Sequence, residues 1–296
     1  KWAEDFTTQL IYFEPVTHNY PIVGCFYSSE YDQLITCDSV CTIKVWNYMN
    51  GTIETAHKQK RTFNSPNILA ACLDNSSRRL VTTTYNGQIS IWNFNSGQEI
   101  VKFTPNDHSL ISIFKCVIIS NREYLVCCRW DRKILLFIET DPCEYELYRS
   151  FNGHKSDITS IAQSIVGLVS GDASGAVISW AINTSSPQAI GYIASGAMVE
   201  CIECANYQVF VGDSNGAISI FALQKMNLIT TFDAHGITRP YSLSSIVADE
   251  NNDALYSADN YGYVKKYQLS NLENGQIYRC HQDDIISLTL VNGGKH

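Results

Sequence analysis

The 296-residue sequence contains no apolar run of about 18 residues or more, so it carries no candidate bilayer-spanning stretch. It has no glycine-rich, phosphate-cradling loop opening a helix, which removes the common nucleotide-binding signature. Nor is there an excess of positive charge. Lys and Arg number 21 against 29 Asp and Glu, and the net charge of -8 argues against general nucleic-acid affinity. Charged residues make up 17% and hydrophobic residues 45%, a balance that can bury a large core. Eleven cysteines, an odd number, lie mostly on apolar strand patterns (Cys25, Cys72, Cys116, Cys127, Cys128, Cys201), without the dense framework of a small secreted domain. They read as reduced, buried thiols of a cytosolic protein. No cofactor and no membrane partner is implied.

Metal and catalytic patterns are equally thin. Cys201 and Cys204 look like half a zinc site, but residues three apart in an alternating strand point to opposite faces, and no second pair follows at a ligand spacing. Asp213-Ser214-Asn215-Gly216 looks like the start of a calcium loop. No acidic ligand stands at its twelfth position and AISIF follows directly, so a hairpin turn is expected. His154, Asp172 and a nearby serine could be set out as a hydrolase triad, which would require a nucleophile held against the base and an oxyanion hole in a pocket. His and Asp recur at the same relative positions along the chain, which predicts a scaffold role instead. No catalytic residue and no metal ligand is assigned.

What is present is a repeated unit. In LVTTTYNGQISIWNFNSG (80 to 97) a short apolar strand leads through Asn86-Gly87 into an alternating strand that ends in Ile91-Trp92. Asn-Gly between alternating runs predicts a hairpin with a type I′ turn, which needs positive φ at both central residues. The template returns at TIKVW (42 to 46), KILLF (133 to 137), AVISW (176 to 180), AISIF (217 to 221) and YVKKY (263 to 267). The closing aromatics Trp46, Trp92, Phe137, Trp180, Phe221 and Tyr267 are 46, 45, 43, 41 and 46 residues apart by subtraction, and Trp2 lies 44 before Trp46. First strands are expected at IVGCFY (22 to 27), ILAACL (68 to 73), LISIFKCVII (110 to 119), ITSIAQ (158 to 163), MVECIECA (198 to 205) and SLSSIVAD (242 to 249).

A period of about 40 to 45 residues with an aromatic closing one strand of each unit is the signature of WD-repeat propeller blades. The chain thus resembles a WD-repeat β-propeller, an all-β fold. The resemblance implies one domain over residues 1–296, with the end of a partial blade in 1–17 (strand QLIYFEP) and six blades over 18–284. The closing strand IISLTLV, at the start of 285–296, would then complete a composite seventh blade. Because Lys1 opens the chain inside a blade, a segment of a longer protein is expected.

In this family a histidine hydrogen-bonds to a turn aspartate and helps orient the closing tryptophan, which carries over to His154 and Trp180. The glycine-histidine marker is best kept at Gly153-His154; His18, His235 and His281 hold comparable places. The turn aspartate is regular only as Asp131. At that register stand Val40, Asn86, Ser174, Asn215 and Tyr261, while Asp38, Asp172, Asp213 and Asp259 lie two residues earlier and read as alternative turn or blade-bridging acceptors. One residue before the Asp131 register, on the face where propellers commonly bind partners, stand Ser39, Tyr85, Trp130, Ala173, Ser214 and Asn260. Exposed Tyr85 and Trp130 beside Arg129 and Arg132 would have the composition of an interface hot spot. Tyr241, in Arg239-Pro240-Tyr241, is a weaker candidate. The cluster His57-Lys58-Gln59-Lys60-Arg61 offers an acidic protein surface a local basic contact through Lys58, Lys60 and Arg61.

Three stretches carry a closer resemblance: RWDRKI (129 to 134), GHKSDITSI (153 to 161) and LVSGDASG (168 to 175). They are similar to the second propeller of a ciliary and flagellar WD-repeat family whose members often carry EF-hands ahead of two propellers. This implies a non-catalytic scaffold of the cytoplasmic cytoskeleton, built into the axoneme on doublet microtubules, with axonemal proteins or tubulin as partners. The alternative is a soluble adaptor or substrate receptor that binds a short peptide near Tyr85 and Trp130.

Overall fold

The computed structural model describes residues 17–59, 66–105, 110–141, 144–236 and 240–290. Among these there is no helix, and the strands form six four-stranded sheets, each an antiparallel meander in chain order. The first sheet holds β1 (Ile22–Ser28), β2 (Gln33–Asp38), β3 (Thr42–Asn47) and β4 (Ile53–Lys58). The second holds β5 (Ile68–Leu73), β6 (Leu80–Thr84), β7 (Ile89–Asn93) and β8 (Gln98–Phe103), and the third β9 (Ile111–Ile119), β10 (Arg122–Arg129), β11 (Lys133–Asp141) and β12 (Glu144–Asn152). The fourth is β13 (Ile158–Ser164), β14 (Gly167–Asp172), β15 (Ala176–Ala181) and β16 (Pro187–Tyr192). The fifth is β17 (Val199–Ala205), β18 (Gln208–Asp213), β19 (Ala217–Ala222) and β20 (Asn227–Asp233). The sixth is β21 (Leu243–Asp249), β22 (Ala254–Asp259), β23 (Tyr263–Gln268) and β24 (Asn271–Arg279). The all-β class expected of a WD-repeat β-propeller is the one the chain adopts. Two compact units divide it, Lys1–Cys116 with Thr140–Tyr145, and Val117–Glu139 with Glu146–His296.

The hairpin joining second and third strands has one recurring geometry. Gly87 N–H donates to the Thr84 carbonyl (2.9 Å) and Thr84 N–H to that of Gln88 (3.0 Å), which makes Tyr85-Asn86-Gly87 a three-residue loop. Gly87 has φ 80° and Asn86 is not in the positive-φ region, so a type I turn followed by one left-handed residue replaces the expected type I′ turn. The same bond runs from residues 41, 132, 175 and 216 to the carbonyls of 38, 129, 172 and 213 at 2.9 to 3.2 Å. Glycine fills the left-handed position as Gly87, Gly175, Gly216 and Gly262, but Cys41 (φ 61°) and Arg132 (φ 67°) hold it in the first and third sheets.

Burial follows strand order. β6 and β14 are buried along their whole length, whereas the last strands β8 and β20 are mostly exposed. Sheets of one unit pack face to face, and the two-residue period of the strand decides which neighbour each side chain meets. Val209 and Val211 of β18 cluster with Val169 and Val177 of the fourth sheet, while Phe210 between them packs with Ile246 and Leu255 of the sixth. In the other unit Ile35, Ile43 and Val45 pack with Ile68, Leu80 and Trp92. Close approach needs a missing Cβ at one register: on Gly171 it would lie 2.4 Å from Val199 Cγ1, and on Gly212 3.0 Å from Ile246 Cδ1.

Two expectations end differently. Residues 285–290 form no strand; Ile285 is buried and Leu288 N–H donates to Ser245 Oγ (3.1 Å), so the segment leans on β21 without pairing as a ladder. A strand requires a paired neighbour, and the expected one, QLIYFEP, lies with Trp2 outside the described residues. Cys25 and Cys280 are exposed rather than buried; Cys25 sits on β1, which is only partly covered along most of its length.

Candidate functional site

Three sheets carry the same buried Asp–His–hydroxyl relay, and in two of them a tryptophan donates to the hydroxyl. In the fourth, Trp180 Nε1–H donates to Ser170 Oγ (2.8 Å), Ser170 Oγ meets His154 Nε2 (2.6 Å) and His154 Nδ1 meets Asp172 Oδ2 (2.8 Å). The strand explains the set. Ser170 and Asp172 are two apart on one face of β14, and Trp180 pairs with Leu168, diagonal to Ser170 on that face. Because the indole can only donate, Ser170 passes its own proton to His154 Nε2, which leaves the Nδ1 proton for the carboxylate. The first sheet repeats this with Trp46, Thr36, His18 and Asp38 at 2.8, 2.7 and 3.1 Å. In the sixth, His235 bridges Asp259 and Ser257, both at 2.8 Å, and Tyr267 replaces tryptophan and donates its hydroxyl to the Ala234 carbonyl.

Asp172 also closes the hairpin. Its Oδ1 accepts Ser174 N–H (2.9 Å), Ser174 Oγ–H (2.6 Å) and Ala176 N–H (3.1 Å). Asp38, Asp213 and Asp259 accept N–H groups two and four residues on in the same way. The turn aspartate therefore stands two residues before the register of Asp131, which corrects the reading of Asp131 as the regular one. The N–H groups of the turn converge on the last side chain of the second strand. In the third sheet that position holds Arg129, which has no acceptor, so Lys133 N–H turns to Asp131 Oδ1 (3.3 Å), and Asp131 pairs with Arg129 (3.0 Å) and Lys133 (3.2 Å). In the fifth sheet Ser195 Oγ–H donates to Asp213 Oδ2 (3.0 Å) where the others offer histidine. His281, in a comparable place in the sequence, is exposed, with its backbone N–H on the Gly262 carbonyl (3.2 Å).

Charge is tuned by these contacts. Burial pushes the Asp172 carboxyl up, but hydrogen bonds from His154 and from Ser174 outweigh it and hold the group down at about 2. Burial lowers His235, against the raising pull of Asp259. Ser170, His154 and Asp172 have the connectivity of a hydrolase triad, yet Ser170 and Asp172 are 0% exposed and the relay recurs in other sheets, as befits a support for the turn. Among the described residues no group of three or more His, Cys, Asp or Glu could hold a metal ion.

The residues expected to meet a partner separate into inside and outside. Tyr85 (53% exposed) and Trp130 (56%) stand out at hairpin tips, each in its own unit. Arg129 does not: it is 3% exposed, buried against Asp131. Arg132 is half exposed and pairs with Asp157 at 3.5 Å. Tyr241 is buried rather than exposed; it stacks on His235 (centroids 5.5 Å, planes 14° apart), accepts His235 N–H (2.7 Å) and donates to Asp233. In the basic cluster, strand alternation sends His57 and Gln59 to the Asn95 and Gly97 carbonyls (2.8 and 3.0 Å) and leaves Lys58 exposed. Lys60 and Arg61 lie outside the described residues. The left-handed column, with Cys41 and Arg132 in glycine's place, went unread in the sequence, although aligning the repeats on their closing aromatics displays it.

No family model matches the chain. A Drosophila willistoni "WD repeat-containing protein on Y chromosome" is 25% identical over 179 residues, covering 58% of this chain and 16% of that protein. The "WD repeat-containing protein 55 homolog" of Dictyostelium discoideum is 27% identical over 159 residues, covering 53% of this chain and 35% of that protein. The likeness is to WD-repeat proteins. The matched part spans well under two thirds of either relative, and their names speak of WD repeats without cilia or EF-hands. Among solved structures, the computationally designed Ika8 protein superposes with a TM-score of 0.68 at 16% identity, covering 93% of this chain and 92% of that one, a likeness of fold alone. In WD-repeat terms, Trp46, Trp92 and Trp180 close three sheets, and the third departs furthest, with Cys127, Arg129 and Phe137 at the relay positions.

Proposed function

We propose that this chain is a non-catalytic scaffold that holds another protein at the hairpin tips of its sheets, with Trp130 as a principal contact. The carrying observation is the 56% exposure of Trp130 on a loop whose left-handed residue is Arg132 rather than glycine. An L-residue there costs on the order of 1–2 kcal/mol, and such strain tends to sit where function needs it. An exposed indole beside a guanidinium has the composition of a binding hot spot. Likeness to WD-repeat proteins supports the same reading.

The sharper proposal is an axonemal scaffold on doublet microtubules, with tubulin or another axonemal protein as partner. It rests on the resemblance of residues 129–134, 153–161 and 168–175 to ciliary propellers. The test is to tag the full-length protein in a ciliated cell and extract axonemes with detergent and high salt. Retention is the expected result; release into the detergent-soluble fraction moves the soluble adaptor into first place. In either fraction, proximity labelling with Trp130→Ala should lower recovery of one neighbour by at least about tenfold, with the circular dichroism spectrum unchanged. An unchanged set of neighbours removes Trp130 from the contact.

A further inference from the structure

The sulfurs of Cys72 on β5 and Cys116 on β9 lie 3.0 Å apart. That is nearer than the roughly 3.5 Å at which two carbon atoms reach their contact optimum. It is about 1 Å from the 2.05 Å of a disulfide. Both residues are half-buried, within reach of a small oxidant, and both belong to the first compact unit. They stand on the first strands of two different sheets, 44 residues apart in the chain.

The other cysteines fit such chemistry less well. Cys127 and Cys128 are adjacent on one strand and point to opposite faces. Cys37 and Cys41 are both buried, and a hydrogen bond from the Cys37 thiol to Cys41, followed by burial, pushes the Cys37 thiol up and away from the reactive thiolate. Burial does the same to Cys201. Cys25 and Cys280 are exposed.

We propose that Cys72 and Cys116 form an oxidation-sensitive pair, closed to a disulfide by a hydroperoxide and reopened by a dithiol. One thiolate attacks the peroxide oxygen, the O–O bond breaks, and a sulfenic acid and water form. The second thiol then attacks the sulfenic sulfur; the S–S bond forms, the S–O bond breaks and a second water leaves. The two sulfurs together lose two electrons and hydrogen peroxide gains them, so two thiols and one peroxide give one disulfide and two waters. The bond would brace β5 to β9 and close the chain from 72 to 116, which removes freedom from the unfolded state.

The test treats the purified full chain with hydrogen peroxide, alkylates the remaining thiols and maps the peptides. The expected result is a cross-linked peptide pair containing residues 72 and 116, about 2 Da lighter than the sum of its reduced parts, that separates with dithiothreitol. The melting midpoint should rise by about 5 °C on oxidation, and Cys72→Ser or Cys116→Ser should abolish the rise. Peptide mapping of the unaltered chain decides the matter even if neither variant folds. Recovery of Cys72 and Cys116 in alkylated form, under conditions that oxidise the exposed Cys25 and Cys280, overturns the proposal.

Discussion

At Arg132 a long, charged side chain occupies a backbone conformation that four other hairpins give to glycine. Its pair with Asp157 is 3.5 Å long and half exposed on both sides, a contact worth about 0–1 kcal/mol that cannot by itself repay the strain. Arg132→Gly and Arg132→Ala both delete that ion pair, but only glycine relieves the left-handed conformation. The glycine variant should therefore be more stable than the alanine variant by about 1 kcal/mol in urea titration. Equal stabilities would mean that no strain is held there, and the argument for selection of this residue by a partner would go with it. The glycine column and the aspartates at 38, 172, 213 and 259 were both visible in the sequence. What spacing could not decide was which of two registers offers the carboxylate that the turn N–H groups converge upon. The pairing of His154 with Asp172 and of Asp131 with Arg129 settles that in three dimensions.

Strands were legible where burial is one-sided or complete, because alternation and β-branched runs record it directly. The first strand of each repeat was read close to its observed bounds, as with ITSIAQ against Ile158–Ser164, and the third strand at its start, as with AVISW against Ala176–Ala181. The last strands were not singled out, since Gln98–Phe103 and Asn227–Asp233 are largely exposed and carry little apolar rhythm. The segment at 285–290 shows the opposite error: its apolar rhythm resembles a strand, but a ladder depends on a neighbour that local sequence does not specify. Sheet-to-sheet spacing is set at single residues. A Cβ on Gly212 would meet Cys201 Sγ at 2.6 Å, Ile246 Cδ1 at 3.0 Å and Leu243 Cβ at 3.1 Å. Gly212→Ala should cost about 1–3 kcal/mol through overpacking. Adding Cys201→Ala should recover part of that loss, because the nearest clash is with the sulfur it removes. Cys201 faces Gly212 across the β17–β18 ladder, so a strictly additive double mutant would show that the fifth sheet relieves this contact by another route.

Across the whole molecule, acid stability draws on groups in two different sheets, His235 of the sixth and Asp172 of the fourth. The direction differs by group. Burial holds His235 below its ordinary 6.5, only partly countered by Asp259, so the unfolded chain binds the proton first. Its contribution is complete above pH 6.5 and is lost as pH falls below that value toward the folded pKa. Asp172 is depressed from 3.8 to about 2. Its contribution, about 2 kcal/mol, is complete above the ordinary carboxylate value and disappears as pH falls through the folded one. Denaturant titrations from pH 8 downward should accordingly show stability falling in two stages, the first opening near neutrality and the second only in strong acid. His235→Gln should flatten the first stage and leave the second. Asp172→Asn should start from a lower stability, having lost the partner of His154, and should lack the second stage. A profile that stays flat until the carboxylates titrate would mean that His235 carries its proton in the folded protein as readily as in the unfolded chain, and the relay in the sixth sheet would then have to run as an ion pair.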